Sequence, residues 1–445
     1  MRLLSPKNPT SKLGTMYQIN NKSYIDKCIL SFSHNRLSSR AEADRLSLEK
    51  AEREIAAGKR GVSHLILRAE DDSIDRVKFL FLISGIPLMC YALANVLNST
   101  LKDVVVIGSE EVRYVLDAYL NIVGDGGKNV SFVEEEKKRL SIGRTMNQGR
   151  EVLQPGPGEL VLFQPGDLPF LYDIEKVLQD KGIKNHNLIL WLNARKRMFP
   201  NVEKDPDSEF VQRNYHYRTI DVEANELLDL KEPNIYPINF SAVEPDIIEL
   251  LHDTRKDGKI FFAGINKALK HPKRFLRLLP VLTHQALNFR SDLERFRKED
   301  SFQFGMHKDR FDHAASILLN TSFVSRLHND PAFVADVDAL EDWEDYEELT
   351  NYAQIQNGEE GLAEIHPWAS SLLMFREKAM PELRTKIPMY ANFPEYMNYL
   401  YGSMKMRSSP FDNWGIYRQL ENHGKKNQAA FQWYRDKTRQ FLQNA

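Results

Sequence analysis

Short apolar runs alternate with helical patterns between residues 64 and 135. The run at 65–67 and the Val-Val-Val-Ile core of 103–108 are continuously apolar, which is typical of strands buried on both faces of a sheet, and 130–133 is a further short strand. Residues 87–97 and 110–120 repeat apolar positions with helical spacing. Strands and helices that alternate in this way predict an α/β fold, with a mainly parallel Rossmann-like sheet and helices on both faces.

Two strands of this pattern end in polar residues that could serve a ligand. Residues 65–67 lead into an acidic loop, and Lys78 follows that loop. The apolar run 160–163 leads into a Gln-Pro-Gly-Asp-Leu-Pro segment that contains Asp167. Open α/β sheets bind their ligands at the carboxyl ends of strands. We therefore predict that 65–67, 104–107 and 160–163 are neighbouring central strands, and that Lys78 and Asp167 share a crevice.

The two ends of the chain have a different pattern. A charged, amphipathic helix is predicted to begin at Ser39, so residues 1–60 are interpreted as an N-terminal helical extension. A second helical pattern begins at Pro367. We therefore divide the chain into this extension, an α/β domain at 61–351 and a helical, aromatic-rich region at 352–445.

The C-terminal region carries many aromatic residues interleaved with lysine and arginine. The aromatic residues are Tyr390, Phe393, Tyr396, Tyr399, Trp414, Tyr417, Phe431, Trp433 and Tyr434. Such a surface could stack on single-stranded nucleic acid, whereas the alternative is a small helical core or a subunit interface. A nucleic acid is not the expected partner, because the whole chain has a formal net charge of -2. A homo-oligomer formed through these helices is a further expectation.

Composition is that of a water-soluble globular protein, with 42% hydrophobic and 27% charged residues in a chain of 445. No apolar run approaches the roughly 20 residues of a membrane span, and the N-terminus lacks the apolar segment of a secretory signal. The two cysteines, Cys28 and Cys90, are predicted to be reduced. These observations favour a cytoplasmic protein.

Five short motifs follow one another in the chain. They are the spacing of Lys78 to Gly85, Ile83-Ser-Gly-Ile-Pro87, Pro165-Gly-Asp-Leu-Pro169, Lys231-Glu-Pro-Asn-Ile-Tyr236, and Ala335-Asp-Val-Asp338 with Asp342 after it. In order and spacing, residues 64–350 resemble the nucleotidyltransferases of the sugar-1-phosphate and MobA-like group. That resemblance implies a GT-A type fold.

The resemblance also implies a reaction and a set of site residues. A nucleoside monophosphate would pass from a nucleoside triphosphate to a phosphorylated small acceptor, with magnesium as the cofactor and pyrophosphate as the product. Asp167 would be the metal ligand, and Lys78 would contact a phosphate. Asp338 is a second candidate metal ligand because it forms a carboxylate pair with Asp336, although in the resembling family this segment usually supports the fold. Independently of the family pattern, Arg68 and Arg76 are candidate phosphate donors, and Asn234 is a candidate contact to the acceptor.

One departure from the family keeps other functions open. The loop at 68–76 contains no glycine and four acids, whereas the family has a glycine-rich loop that wraps phosphates. A non-catalytic nucleotide-binding or assembly module is therefore one alternative. A glycosyltransferase that uses a nucleotide-sugar is another, with Asp336-Val-Asp338 as its D-x-D motif. Residue roles also have simpler alternatives: Asp167 could cap the next helix, and Lys78 could be a solvated loop lysine.

Overall fold

A computed structural model gives the fold. It describes residues 23–33, 78–135, 142–194, 217–221, 226–231, 235–243, 272–295, 306–328, 330–333, 335–337, 340–358, 361–391 and 413–444.

The strands of these residues are β1 (Lys27–Ser31), β2 (Leu82–Ile83), β3 (Ile86–Pro87), β4 (Asp103–Gly108), β5 (Asn129–Glu134), β6 (Val161–Pro165), β7 (Leu188–Ala194), β8 (Tyr217–Asp221), β9 (Glu226–Lys231), β10 (Tyr236–Ile238), β11 (Met306–His307) and β12 (Phe323–His328). The helices are α1 (Leu88–Leu97), α2 (Glu110–Ile122), α3 (Ile142–Leu153), α4 (Glu175–Leu178), α5 (Pro272–Arg295), α6 (Lys308–Leu319), α7 (Leu340–Asn357), α8 (Gly361–Ile365), α9 (Ala369–Lys386), α10 (Pro388–Ala391) and α11 (Asn413–Asn444).

In the described part of the chain, one sheet of ten strands organises the fold. Its order is β11-β8-β9-β7-β10-β6-β1-β4-β5, with β12 paired to β7. The strands β5, β4, β1 and β6 are parallel to one another, and β10 lies antiparallel between β6 and β7. The predicted fold class, a mixed and mainly parallel α/β sheet with helices, is confirmed.

The helices next to β4 agree with the sequence pattern. The predictions 87–97 and 110–120 correspond to α1 and α2. All ten residues of α1 are buried. Apart from Asn95 these residues are apolar, and such a helix has to be enclosed by protein, so α1 lies inside the main core.

The central strand differs from the prediction. The strand between β4 and β6 is β1, whose Cys28 pairs with Val104 on one side and with Leu162 on the other. The prediction that 65–67 holds this central position is therefore wrong, and residues 65–67 lie outside the described residues. Sequence analysis missed β1 because it has only five residues and lies in a polar segment. Residues 27–31 also fall inside the predicted N-terminal helical extension, whereas the structure places them at the centre of the sheet.

The C-terminal helices share the main hydrophobic core. Leu372 and Phe375 of α9 pack in one cluster with residues of α1 and α2. Tyr390, Phe431 and Tyr434 belong to the same cluster, so these aromatic side chains form core rather than a stacking surface. The predicted boundary at residue 352 falls inside α7.

Two smaller predictions and one glycine-rich turn can also be compared with the structure. Cys28 and Cys90 are free and buried, as expected. The glycine-rich segment at 124–128 is a turn before β5, where Asp125 Oδ1 accepts a hydrogen bond from Gly127 N at 2.8 Å. No helix in the described part of the chain is long and apolar enough to cross a membrane.

Candidate functional site

The carboxyl ends of the central strands meet at one edge of the sheet. Ser31, the last residue of β1, pairs with Ile107 of β4 and with Pro165 of β6. The ladder continues beyond the strands, because Gly166 N donates to Ser31 O at 2.8 Å and Phe32 N donates to Ile107 O at 2.7 Å. Parallel strands that end together create the position at which α/β proteins bind ligands.

Gly166 is required by the tight packing at this edge. A Cβ atom on Gly166 would lie 1.9 Å from Cε1 of Phe32, so any side chain here would force the ring or the turn to shift. The Phe32 ring in turn meets the Phe79 ring edge-on at 5.3 Å between centroids. This packing fixes the turn that presents Asp167 and brings the segment carrying Lys78 against it.

Lys78 and Asp167 form an ion pair. Lys78 Nζ lies 2.6 Å from Asp167 Oδ2, and the side chains are 26% and 5% exposed. A buried carboxylate needs a compensating charge, and Lys78 supplies it here. The two simpler alternatives are wrong. The N-cap of α4, the next helix after Asp167, is Ile174, and Lys78 is bonded to Asp167 rather than solvated.

A third segment, residues 335–337, closes this site. Lys78 Nζ donates to Val337 O at 2.8 Å, and Val337 N donates to Asp167 O at 3.0 Å. Asp336, the first acid of the D-x-D sequence, is buried. The late acidic motif and the Asp167 motif therefore belong to one site, although the sequence separates them widely.

The loop that follows Asp167 is fixed by hydrogen bonds from buried side chains of the core. Pro169 O accepts hydrogen bonds from Asn95 Nδ2 at 3.0 Å and from His366 Nε2 at 3.2 Å. Trp368 N donates to His366 Nδ1 at 3.3 Å. Burial lowers the pKa of His366 to about 3, so the imidazole is neutral at ordinary pH, which agrees with one nitrogen donating and the other accepting.

The Ile-Ser-Gly-Ile-Pro motif is a hairpin, β2–β3, that leads directly into α1. Its two turn residues have positive φ, 55° at Ser84 and 72° at Gly85. Positive φ at both central residues is the geometry of a tight hairpin turn, and glycine adopts a positive φ without steric cost.

Three side chains from the C-terminal helices bind the polar atoms of Ser84. Ser84 N donates to Glu347 Oε1 at 3.0 Å, Gln354 Nε2 donates to Ser84 Oγ at 2.6 Å, and Arg376 Nη1 donates to Ser84 O at 3.2 Å. We call Glu347, Gln354 and Arg376 the Ser84 clamp. Burial raises the pKa of Glu347 to about 8. The clamp joins α7 and α9 to the hairpin that follows Lys78.

The predicted site residues fall into two groups. Lys78 and Asp167 come together at the strand ends, while Arg68, Arg76, Asn234 and Asp338 lie outside the described residues. Within the described ranges, no three His, Cys, Asp or Glu side chains are grouped so that they could hold a metal.

Sequence reasoning missed two kinds of contact at the site. The Val337 carbonyl is a backbone group, which no side-chain motif reports, although the two flanking acids did draw attention to its position. The Ser84 clamp comes from helices more than 250 residues further along the chain, with sequence separations of 263, 270 and 292.

Comparison with known proteins gives similar structures but no family. No protein-family profile matches the sequence, and no curated protein matches it. A hypothetical transferase from Thermus thermophilus is similar, with 15% identity and a TM-score of 0.38, over 72% of this chain and 99% of that one. The inositol-1-phosphate CTP transferase from T. maritima matches at 11% identity and a TM-score of 0.30, over 50% of this chain and 73% of that one. A UDP-glucose pyrophosphorylase in complex with UDP-glucose matches at 13% identity and 0.28, over 54% and 87% of the two chains. At such values the matches identify no activity for this chain.

Proposed function

We propose that the protein is a magnesium-dependent nucleotidyltransferase. It would transfer a nucleoside monophosphate from a nucleoside triphosphate to a phosphorylated small molecule and release pyrophosphate. The observation that supports this is the convergence of Lys78 Nζ, Asp167 Oδ2 and Val337 O at the carboxyl ends of the central strands. A cation and a carboxylate at that position suit a ligand rich in phosphate.

The donor atoms at the site fit magnesium. Asp167 Oδ2 and Val337 O lie 2.6 and 2.8 Å from the same Lys78 nitrogen, so two oxygen atoms already point at one cation. Magnesium prefers oxygen ligands, and one or two carboxylates together with substrate phosphates are a common way to hold it. Asp338, which follows Val337 directly, is the proposed second carboxylate. When bound, the metal neutralises negative charge on the phosphates.

Beyond holding the metal, the protein would contribute to the reaction by positioning the two substrates. Nucleotidyl transfer is an in-line displacement at phosphorus, and by analogy with phosphoryl transfer it needs orientation and charge stabilisation rather than covalent help. Lys78 would donate hydrogen bonds to phosphate oxygens and stabilise charge on the departing pyrophosphate. Arg68 and Arg76 would add phosphate donors, and Asn234 would contact the acceptor.

The test is pyrophosphate release by the full-length chain. The four nucleoside triphosphates are each supplied with sugar-1-phosphates, in magnesium and in EDTA. Asp167→Asn keeps the shape but removes the charge, and it should lower turnover by roughly 10²–10³-fold. Asp125→Asn, in the exposed turn before β5, is the matched control and should leave turnover unchanged. Magnesium-dependent turnover that survives Asp167→Asn would contradict the proposal.

A non-catalytic binding module is the second candidate. Lys78 and Asp167 already neutralise each other, as they would in a scaffold that has no need of a metal. This candidate expects no turnover with any triphosphate. It also expects a nucleotide-induced rise in melting temperature that is the same with and without magnesium, and the same in Asp167→Asn.

A nucleotide-sugar glycosyltransferase is favoured by a different contact. The backbone bond from Val337 N to Asp167 O brings the D-x-D segment to the site. Such an enzyme would release a nucleoside diphosphate from a nucleotide-sugar and no pyrophosphate from a triphosphate. Product analysis by chromatography therefore separates this candidate from the nucleotidyltransferase.

A further inference from the structure

We infer that Lys78 and a divalent cation compete for the same two oxygen atoms, so the cation binds tightly only when Lys78 has moved to another anion. This inference deepens the proposed function and rests on it for the identity of that anion, a phosphate group of the nucleotide. Lys78 would then act as a built-in competitor that delays metal binding until substrate is present.

The geometry of the ammonium group carries the inference. Lys78 Nζ is 2.6 Å from Asp167 Oδ2 and 2.8 Å from Val337 O. These two oxygens come from segments far apart in the chain, and both meet at the lysine nitrogen. Carboxylate and carbonyl oxygens are also the ligands that hard divalent cations prefer. The lysine therefore occupies the position at which the two oxygens could share a metal.

Lys78 is the partner that can move. Its side chain is 26% exposed and has a flexible four-carbon stem, whereas the Asp167 side chain is only 5% exposed. The main chain at Asp167 is fixed on both sides: Val337 N donates to Asp167 O at 3.0 Å, and the preceding Gly166 N donates to Ser31 O at 2.8 Å. The oxygens stay in place while the lysine can swing toward solvent.

Electrostatics makes the two cations exclude each other. An ammonium and a divalent ion that share the same oxygens would repel strongly in a site that is mostly shielded from water. A phosphate offers the displaced Lys78 a new partner. Because binding free energies are coupled reciprocally, a phosphate that draws Lys78 away must strengthen metal binding, and the metal must strengthen phosphate binding by the same factor.

The experiment measures binding of Mn²⁺ alone by isothermal titration calorimetry, without any nucleotide. The wild-type chain is compared with Lys78→Met, which removes the charge and keeps much of the volume. We expect Lys78→Met to bind Mn²⁺ about tenfold more tightly, within the usual range of such couplings. Mn²⁺ should also raise the melting temperature of Lys78→Met more than that of the wild type.

Three further variants make the result specific. The double variant Lys78→Met with Asp167→Asn should lose the gain, which assigns the metal to this carboxylate. Lys78→Arg keeps a cation and should show no gain. If Lys78→Met does not fold, Lys78→Gln takes its place, because a neutral amide can still donate to an oxygen. Equal or weaker Mn²⁺ binding in the neutral variant overturns the inference, and so does a gain that persists in the double variant.

Failure of this inference and failure of the proposed function are distinguishable. The titration contains no substrate, so an increase in Mn²⁺ affinity would stand even if no triphosphate were turned over. Conversely, the wild type could show magnesium-dependent turnover while Lys78→Met binds Mn²⁺ no more tightly than the wild type. That result would support the proposed function and overturn the competition.

Discussion

Gln164 lies near the carboxyl end of β6, shortly before Asp167, and its side chain is fully buried. Neither of its polar side-chain atoms has a hydrogen-bond partner among the described residues. A buried polar group without a partner costs roughly 1–3 kcal/mol. We therefore predict that Gln164→Met, which has a similar shape and no amide, raises the free energy of unfolding by about 1 kcal/mol. Urea denaturation monitored by circular dichroism measures this change.

A matched amide elsewhere controls the Gln164 prediction. Gln179 Nε2 donates to Glu175 Oε2 at 2.6 Å, so Gln179→Met removes an amide that has a partner and should not stabilise the protein. A loss of stability in Gln164→Met would refute the prediction. It would mean that a buried water satisfies the amide and that this water is part of the fold.

Gly166 is the second residue whose role can be tested alone. Gly166→Ala would place a methyl group 1.9 Å from the Phe32 ring, so either the ring or the Asp167 turn has to move. We expect a loss of about 1–3 kcal/mol in unfolding free energy, measured in urea, together with a loss of the proposed transferase activity. Gly156→Ala is the control, because its added atom would meet nothing closer than 3.8 Å and stability should change little. Equal stability of the two variants would contradict this account of the turn.

At the scale of elements, the sequence pattern predicted the strands and helices whose formation depends mainly on their own residues. The strand β4 has four consecutive β-branched residues and α2 is strongly amphipathic, and both were found where predicted. The short β1 was missed, because five residues carry little periodicity and its burial depends on neighbours that the local sequence does not identify. Lys78 and Asp167 could be predicted as a pair from their motifs, whereas the oxygen of Val337 could not, since any residue type supplies a carbonyl.

The contact between α7 and the β2–β3 hairpin gives a pH-dependent prediction. Burial raises the pKa of Glu347 from 4.5 to about 8, against hydrogen bonds from Ser84 and Asn351 that lower it. Between pH 4.5 and about 8, Glu347 therefore keeps its proton in the folded protein, whereas the same side chain is ionised in the unfolded chain. The resulting stability is full below pH 4.5 and is lost as the pH rises to about 8. Wild type should therefore lose stability relative to Glu347→Gln by up to about 1.4 kcal/mol per pH unit in that window.

Urea denaturation at several pH values between 5 and 8 measures the difference between wild type and Glu347→Gln. Gln is suitable because its carbonyl can still accept the hydrogen bond from Ser84 N. Glu382→Gln, on the exposed surface of α9, is the control and should show no such trend. A difference that stays constant with pH would show that the pKa of Glu347 is not raised in the folded protein.

At the scale of the whole molecule, the C-terminal helices belong to the same core as the sheet. This could not be read from the sequence, because a helical aromatic pattern indicates burial without indicating the partner. The partner proves to be the loop after Asp167: the Tyr434 ring lies 4.9 Å from the Phe170 ring, and Tyr172 Oη and Thr438 Oγ1 share a hydrogen bond of 2.9 Å. Lys437 pairs with Asp330 at 2.5 Å, and burial lowers the pKa of this lysine.

A chain that ends at residue 412 tests this dependence directly. Removing α11 would expose Phe170 and Tyr172 to water and leave Asp330 without its lysine, and buried acids that lose a partner are costly. We expect the shortened chain to aggregate or to melt at a clearly lower temperature, as measured by light scattering and scanning calorimetry. Tyr434→Ala should reproduce part of the loss, roughly 3 kcal/mol or more for a large buried aromatic, while Gln432→Ala on the exposed side of the same helix should not. A shortened chain that stays monomeric with an unchanged melting temperature would make α11 an independent module. In that case the alternative of a nucleic-acid surface would deserve a direct binding measurement with single-stranded RNA and DNA.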